Sequence, residues 1–308
     1  MIRKTDHALS LRQLRYFDAL ARLGHFGRAA EECAVTQPAL SMQIQELEGA
    51  IGLQLVERRA KGFRLTDDGY EIARRAARIL SDTRDLVDYA RRRMGPLTGP
   101  LRLGVIPSVA PYLLPPLLPM LREKYPQLEL HIRETQTEQL VRLLQNGSLD
   151  LLLLALPLDH PDVEVIKLFE DRFVLAVPQD RELHNWVRAT PDLIRGDRLL
   201  LLEEGHCFRD QALAFCQLRR LDNIDTFGAS SLSTLVQMVA NSLGLTLLPE
   251  ISLDLEATRA KVRLIRFADP EPFRVLGLAW RSTSPRKRDF VELGKLVVES
   301  AGRGKAEL

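Results

Sequence analysis

Thr36-Gln37-Pro38-Ala39-Leu40-Ser41-Met42-Gln43-Ile44-Gln45-Glu46-Leu47-Glu48-Gly49-Ala50-Ile51 decides the fold of the first third of the chain. Leu40, Ile44, Leu47 and Ile51 recur at spacings of four, three and four, the period of a helix with one apolar face. Thr36 suits the N-cap, where its hydroxyl accepts from a free backbone N–H. Pro38 suits the first turn, where no N–H partner is needed. The other face is small and polar, with Gln37, Ala39, Ser41, Met42, Gln43 and Gln45. A helix with such a face can enter a major groove and present its first residues to the base edges. Gln donates to and accepts from adenine, and Ser41 can reach a base or a phosphate. The plainer alternative is a three-helix core with a solvated face.

The flanking sequence favours the DNA reading. Ser10 is placed to cap a helix whose Leu11, Leu14, Phe17, Leu20, Ala21 and Leu23 share a face, and Gly24 ends it. Phe26 to Cys33 reads as a second short helix with Ala29, Ala30 and Cys33 inward. Two short helices, a tight turn and a third helix make a helix-turn-helix. Val56 to Thr66 then reads as a two-stranded wing, with Arg58, Arg59, Lys61 and Arg64 placed for phosphates. Thr66 caps a long helix from Asp67 to about Met94. Its positions Ile72, Ala76, Ile79, Leu80, Thr83, Leu86, Val87 and Ala90 approximate a heptad seam. Nothing in so small a domain is expected to cover that stripe, so pairing with a second chain is expected. Gly95-Pro96-Leu97-Thr98-Gly99-Pro100 reads as a hinge.

Composition narrows the class. The 308 residues are enough for two or three domains, and 45% hydrophobic with 27% charged residues is ordinary for a soluble protein. Residues 1–99 carry 17 basic against 13 acidic side chains, while the remainder carries 26 against 28. Only the front is biased toward a polyanion. Three cysteines do not form a secreted disulfide framework. The N-terminus lacks the apolar run of a signal peptide. Leu103 to Leu121 is free of charge, but Pro107, Pro111, Pro115, Pro116 and Pro119 argue against a spanning helix. A cytoplasmic protein with no membrane partner is expected, and no metal or cofactor.

Arg12-Gln13-Leu14-Arg15-Tyr16-Phe17, Phe26-Gly27-Arg28-Ala29-Ala30, the run from Thr36 to Glu48, and Leu65-Thr66-Asp67-Asp68-Gly69 resemble the LysR-type transcriptional regulators. The resemblance implies a non-enzymatic regulator in three parts. These are a winged helix-turn-helix over 1–66, a dimerising linker helix and hinge over 67–99, and a two-lobed α/β regulatory domain like a periplasmic binding protein over 100–308. It places DNA contacts at Thr36, Gln37, Pro38, Ser41, Gln43, Arg58, Arg59, Lys61 and Arg64. The implied partners are double-stranded promoter DNA, RNA polymerase and further copies of the chain as a dimer of dimers. Gln45-Glu46 stands where more basic residues are expected, which bears on operator sequence and affinity.

The remaining two thirds alternate apolar runs with helical segments. Leu101 to Ile106, Leu128 to Glu134 and Leu149 to Leu156 read as strands, with helices between them. Phe173–Val177, Leu199–Leu202, Thr226–Gly228 and Leu245–Leu248 open a second set, and the chain returns through Phe273–Trp280 and a last helix. The alternation predicts βαβ units and a mostly parallel sheet. Three loops at strand ends stand out: Ile106-Pro107-Ser108, Thr135-Gln136-Thr137 and Glu204-Gly205-His206-Cys207.

Cys207 and Cys216 lie within one expected helix. Nine residues of helix separate them by roughly 13 Å along the axis, whereas a disulfide needs Cα atoms within about 7 Å. Either they never pair, or pairing unwinds the helix. A cysteine in a helix's first turn meets the positive end of the dipole, and the thiolate is the form that attacks peroxide. Each neighbour also has an ordinary reading: Ser108 and Thr137 as helix caps, His206 as a loop residue, Arg209 as surface, Asp210 as a first-turn acid and Cys216 as core.

Gly205-His206-Cys207-Phe208-Arg209-Asp210-Gln211-Ala212 with Phe215-Cys216, together with Ile106 to Pro115, resembles the peroxide-sensing members of the same family. That implies hydrogen peroxide as the signal, with Cys207 as the peroxidatic and Cys216 as the resolving cysteine. Ser108, Thr137, His206, Arg209 and Asp210 would form the peroxide pocket. Glutaredoxin or thioredoxin would be the reductant, and antioxidant genes the target. Ser108 occupies a position where Thr is expected, and the hydroxyl is kept. The alternative is a LysR-type regulator of a small organic effector, with incidental cysteines.

Overall fold

A computed structural model of the chain describes residues 9–59, 62–91, 95–182, 188–194, 197–218, 224–258 and 260–302. By internal contacts the chain divides into two units, one built on residues 1–90 and one on 91–308, with 145–148 grouped with the first.

The first unit opens with α1 (Leu11–Leu23), α2 (Phe26–Glu32) and α3 (Gln37–Ile51). Ser10 caps α1 with a capping box, accepting from the Gln13 N–H while its own N–H donates to the Gln13 side chain. Thr36 caps α3 by accepting from the Ala39 N–H at 3.4 Å. Phe17, Leu20, Leu40 and Leu47 are fully buried at the centre. Each such side chain contributes about 1.5–3 kcal/mol relative to exposure. The wing follows as β1 (Val56–Arg58) antiparallel to β2 (Phe63–Leu65), with Glu57 opposite Arg64.

Helix α4 (Asp67–Arg91) then runs for 25 residues, and its expected last residues, 92–94, lie outside the described ones. The expectation that this helix lacks cover in its own domain is corrected in part. Ala76 is buried in the helix-turn-helix core, and Ile72, Ala73 and Leu80 pack against it. The second half keeps its apolar side chains in solvent, with Leu86 69% exposed and Val87 47%.

The second unit contains β3 (Gly99–Val105), α5 (Ala110–Lys124), β4 (Leu128–Glu134), α6 (Thr137–Gln145), β5 (Leu151–Leu156) and β6 (Val163–Pro178). It continues with α7 (Pro191–Ile194), β7 (Leu199–Leu202), α8 (Cys207–Leu218), β8 (Ile224–Ala229), α9 (Leu232–Ala240) and β9 (Thr246–Pro249). It closes with α10 (Leu253–Glu256), β10 (Val262–Arg266), β11 (Phe273–Arg281) and α11 (Lys287–Ser300). Two apolar cores define two lobes. One gathers β3, β5, α5, α6, β11 and α11, and the other gathers the end of β6 with β7, α8, α9 and β9.

The sheet is not mostly parallel, which corrects the expectation from alternation. β3 is parallel to β4 and β5, and β7 to β8. β11 runs antiparallel to β5 and β6, and β6 antiparallel to β9 and β10. The reason is that β6, 16 residues long, passes from one lobe into the other, and β11 returns beside it. The sequence points only to the second half of β6, because Glu164, Lys167 and Glu170 interrupt the apolar pattern of the first half.

Gly277 shows how closely these two strands press. The register shifts between Leu276 and Gly277, and a Cβ at Gly277 would lie 2.6 Å from the Ile166 carbonyl oxygen. Gly277→Ala is expected to lower the stability of this unit by about 1–3 kcal/mol. Urea denaturation should show a lower midpoint with an unchanged slope.

Candidate functional site

In the first unit three elements meet around a groove of about 300 Å³. It is bounded by Gly24, His25 and Phe26 before and at the start of α2, Gln37 and Ser41 of α3, and Arg59, Gly62 and Phe63 of the wing. Phe26 and Phe63 hold the wing to α2 edge to face, with ring centroids 5.1 Å apart. Thr36, Gln37 and Pro38 are exposed at the helix start, and Ser41 and Gln43 are half-buried. The Gln43 amide donates to the Glu46 carboxylate at 2.6 Å, which occupies one of its donors. Arg59 and Arg64 are exposed on the wing. The Arg58 side chain and the whole of Lys61 lie outside the described residues.

His25 was not foreseen. It caps α2 through Nδ1, which accepts from the Gly27 and Arg28 N–H groups at 3.0 and 3.4 Å. The signal was faint, because histidine stands where Ser, Thr or Asp usually caps.

In the second unit the loops after β3, before α6 and before α8 face one another across the lobes. Helix α8 runs unbroken from Cys207 through Cys216 to Leu218. Cys207 is a half-buried free thiol. Although it begins a helix of the second lobe, it packs against the core of the first. Tyr112 of the first lobe makes the reverse crossing. It packs on the core of the second, and its hydroxyl donates to Glu256 at 2.7 Å. Burial and Glu256 push the phenol's pKa well up. The Cys216 side chain lies outside the described residues.

Gln136 holds the turn before Cys207. Its amide donates to the Glu204 carbonyl at 3.2 Å. Gly205 has φ +89°, and a Cβ there would lie 2.4 Å from Gln136 Oε1. The positive φ favours glycine here, and a larger residue would displace the Gln136 side chain. His206 is 7% exposed, and burial lowers its pKa against an opposing effect of Glu203. Burial thus favours its neutral form. Arg209 is 8% exposed and turns back to donate to the Leu202 carbonyl at 3.1 Å. Asp210 is exposed on the first turn of α8 and does not pair with Arg209. Thr137 Oγ1 and Gln211 Oε1 are buried with no protein partner among the described residues. Such groups suit a small polar guest.

Ser108 is buried, and its Oγ accepts from Arg274 Nη1 at 2.8 Å. Arg274 Nη2 donates to the Ser108 carbonyl at 3.0 Å, and Nε to Asp171 Oδ2 at 2.8 Å. The guanidinium also lies over the Phe208 ring, 5.2 Å from its centroid. Arg274 and Asp171 were missed by sequence reasoning. The available signal was a lone charge in the apolar strand Phe273–Trp280.

Comparison with known proteins settles the family. The model of the bacterial regulatory helix-turn-helix protein, lysR family, matches residues 11–70, and that of the LysR substrate binding domain matches 94–300. The chain belongs to the LysR family of transcriptional regulators. These are DNA-binding regulators, not enzymes. Within the family it groups with OxyR. It is 42% identical over 301 residues to a probable hydrogen peroxide-inducible genes activator of Streptomyces viridosporus, covering 97% of this chain and 96% of the relative. It is 38% identical to the dual regulator OxyR of Escherichia coli, over 94% of this chain and 95% of that one. Among solved structures, full-length OxyR of Pseudomonas aeruginosa carrying a cysteine-to-aspartate change superposes with a TM-score of 0.83 at 35% identity, covering 98% and 99% of the two chains. A peroxide-bound cysteine-to-serine variant of Corynebacterium glutamicum OxyR gives 0.67 at 33%, covering 94% and 92%. As a LysR-family regulator the chain has the expected architecture, a helix-turn-helix followed by a two-lobed regulatory domain. No helix among the described residues is long and apolar enough to cross a membrane.

The lowered pKa of His206 has a measurable consequence. Below the ordinary histidine value of about 6.5 the unfolded chain takes up a proton that the folded chain resists, so stability falls with pH. His206→Gln is expected to lose less stability than wild type between pH 7 and pH 5 in urea titrations. Equal losses would place the acid sensitivity elsewhere.

Proposed function

We propose that this regulator senses hydrogen peroxide through Cys207 and records the signal as a Cys207–Cys216 disulfide. One observation carries the reading: Cys207 is a free, half-buried thiol at the first turn of α8 that packs on the core of the opposite lobe, next to the buried His206. The thiolate sulfur attacks one peroxide oxygen, the O–O bond breaks, and the other oxygen leaves with a proton as water. Cys207 becomes a sulfenic acid. Cys216 then attacks that sulfur, the S–O bond breaks, and a second water leaves. Two thiols are oxidised by two electrons, and one peroxide is reduced to two waters.

We assign Ser108, Thr137 and His206 to the pocket that receives peroxide. Arg209 anchors the start of α8 to β7, and Asp210 supplies negative charge at the helix N-terminus. Since α8 holds the two cysteines about 13 Å apart along its axis, pairing requires that it unwind. The remodelled segment would change the surfaces through which regulatory domains associate. It would thereby alter how helix-turn-helix units are spaced on promoter DNA, with the exposed second half of α4 as the pairing face within a dimer. RNA polymerase would read that spacing at antioxidant genes, and a glutaredoxin or thioredoxin would reset the bridge. The division into residues 1–66, 67–99 and 100–308 follows these roles, and the cytoplasm supplies the reducing background that such a switch needs.

Promoter footprints of reduced and oxidised protein test the switch. The wild-type footprint should change after micromolar-range peroxide, and the footprint of Cys207→Ser should not. Peptide mapping should find the Cys207–Cys216 bridge only in the oxidised wild type. An unchanged wild-type footprint, or induction that survives Cys207→Ser, would favour an organic effector instead.

DNA contact by the wing is tested separately. Arg59→Ala and Arg64→Ala should each weaken binding to all sequences alike. Each should reduce the slope of log affinity against log salt by about 1 for every phosphate that the arginine neutralises.

A further inference from the structure

Asp171 and Arg274 face each other directly across β6 and β11, and both side chains are fully shielded from solvent. Neither has a role in the scheme above, and neither touches the sulfur chemistry by itself. Their contacts nevertheless reach Ser108 and the ring of Phe208, the residue after Cys207. Asp171 Oδ2 takes Arg274 Nε at 2.8 Å, and Oδ1 takes the Ile251 N–H at 3.1 Å. The carboxylate is thus pinned at both oxygens. A guanidinium is planar and rigid, so fixing Nε fixes where both Nη groups point. They point at Ser108, one at the hydroxyl and one at the carbonyl. The opposite constraint comes from Phe208, the residue after Cys207, whose ring lies under the same guanidinium and against Phe173.

The arrangement determines what Ser108 can do. A hydroxyl has one hydrogen to give and two lone pairs. With Arg274 donating to Oγ, one lone pair is occupied by a cationic donor and the hydroxyl hydrogen is left for the pocket. Donation from the cation also polarises the O–H bond and strengthens it as a donor. We propose that Asp171 is a positioning residue for the peroxide reaction, holding Arg274 so that the Ser108 hydroxyl is presented as a hydrogen-bond donor to the peroxide oxygen that leaves when the O–O bond breaks. The proposal rests on the reading of Cys207 as the peroxide-reactive thiol. Asp171 neither gives nor takes a proton. Without its charge and its two-oxygen grip, Arg274 is free to tilt away, and the donor at Ser108 loses its fixed direction.

Stopped-flow oxidation of full-length reduced protein by hydrogen peroxide, beside alkylation of Cys207 by iodoacetamide, separates this role from a structural one. Alkylation reports the thiolate and its accessibility but breaks no O–O bond. Asp171→Asn should lower the peroxide rate constant by roughly tenfold or more, while the alkylation rate and its pH profile change by less than about twofold. In a Ser108→Ala background, Asp171→Asn should change the peroxide rate by less than about twofold, because the group through which it acts is gone. If Asp171→Asn fails to fold, Asp171→Glu takes its place in the same cycle. It keeps the charge but displaces the guanidinium by one methylene, with an expected loss of about threefold that again vanishes without Ser108. Equal falls for both reagents, no fall at all, or a fall that persists in the Ser108→Ala background would each overturn the proposal. A wild type whose Cys207 alkylates normally but does not react with peroxide would instead overturn the peroxide reading itself.

Discussion

Two opposite charges buried where β6 and β11 pair are the constraint on which the regulatory domain depends. An ion pair out of water is costly unless its geometry is good and the remaining lone pairs are used. Here they are used, since Asp171 accepts from Arg274 and from the Ile251 backbone, and Arg274 goes on to grip Ser108. Removing either partner from such a pair leaves an uncompensated charge and typically costs about 3–5 kcal/mol. The pair therefore fixes three things together: the register of the strands that join the lobes, the loop after β3, and the floor beneath Phe208. Cys207, the residue before Phe208, begins its helix beside that floor.

What sits above the floor is held more lightly. The turn before α8 is tied to the first lobe by one Gln136 hydrogen bond and by the packing of Cys207 on the first lobe's core. The lobes meet again through Tyr112 and Glu256, where Ser233 also donates to the same carboxylate oxygen at 2.8 Å. A few interactions of this kind can be exchanged while two apolar cores stay intact. Segments with little buried apolar packing are the ones a protein can refold locally.

The DNA-binding unit follows a simpler logic. Its core is built from α1, α2, α3 and the first half of α4, and this leaves the polar start of α3 and the wing arginines in solvent around one groove. The same packing divides α4 into a half that belongs to this core and a half whose Leu86 and Val87 have no cover within the unit. An apolar surface left open on a long helix is the usual ground for self-association.

Elements that depend on local chemistry were legible in the residues alone. Ser10 and Thr36 as caps, the four-three-four spacing of α3, the wing and the length of α4 are set by neighbours within a few residues, so they could be read directly. The loop residues Ser108, Thr137, His206 and Cys207 were legible for the same reason, each lying at a strand end or helix start. Whatever depends on distant partners was decided only once the chain packed. Asp171 and Arg274 are 103 positions apart, and although Arg274 stands out as a lone charge in an apolar strand, nothing local names its partner until two antiparallel strands bring them face to face. The direction of those strands is equally hidden, because the polar first half of β6 masks a strand that only its pairing with β11 defines. Arg209 and Asp210, adjacent in sequence, separate into a buried anchor and an exposed acid, since a helix turns by 100° per residue and the lobes decide which side is covered.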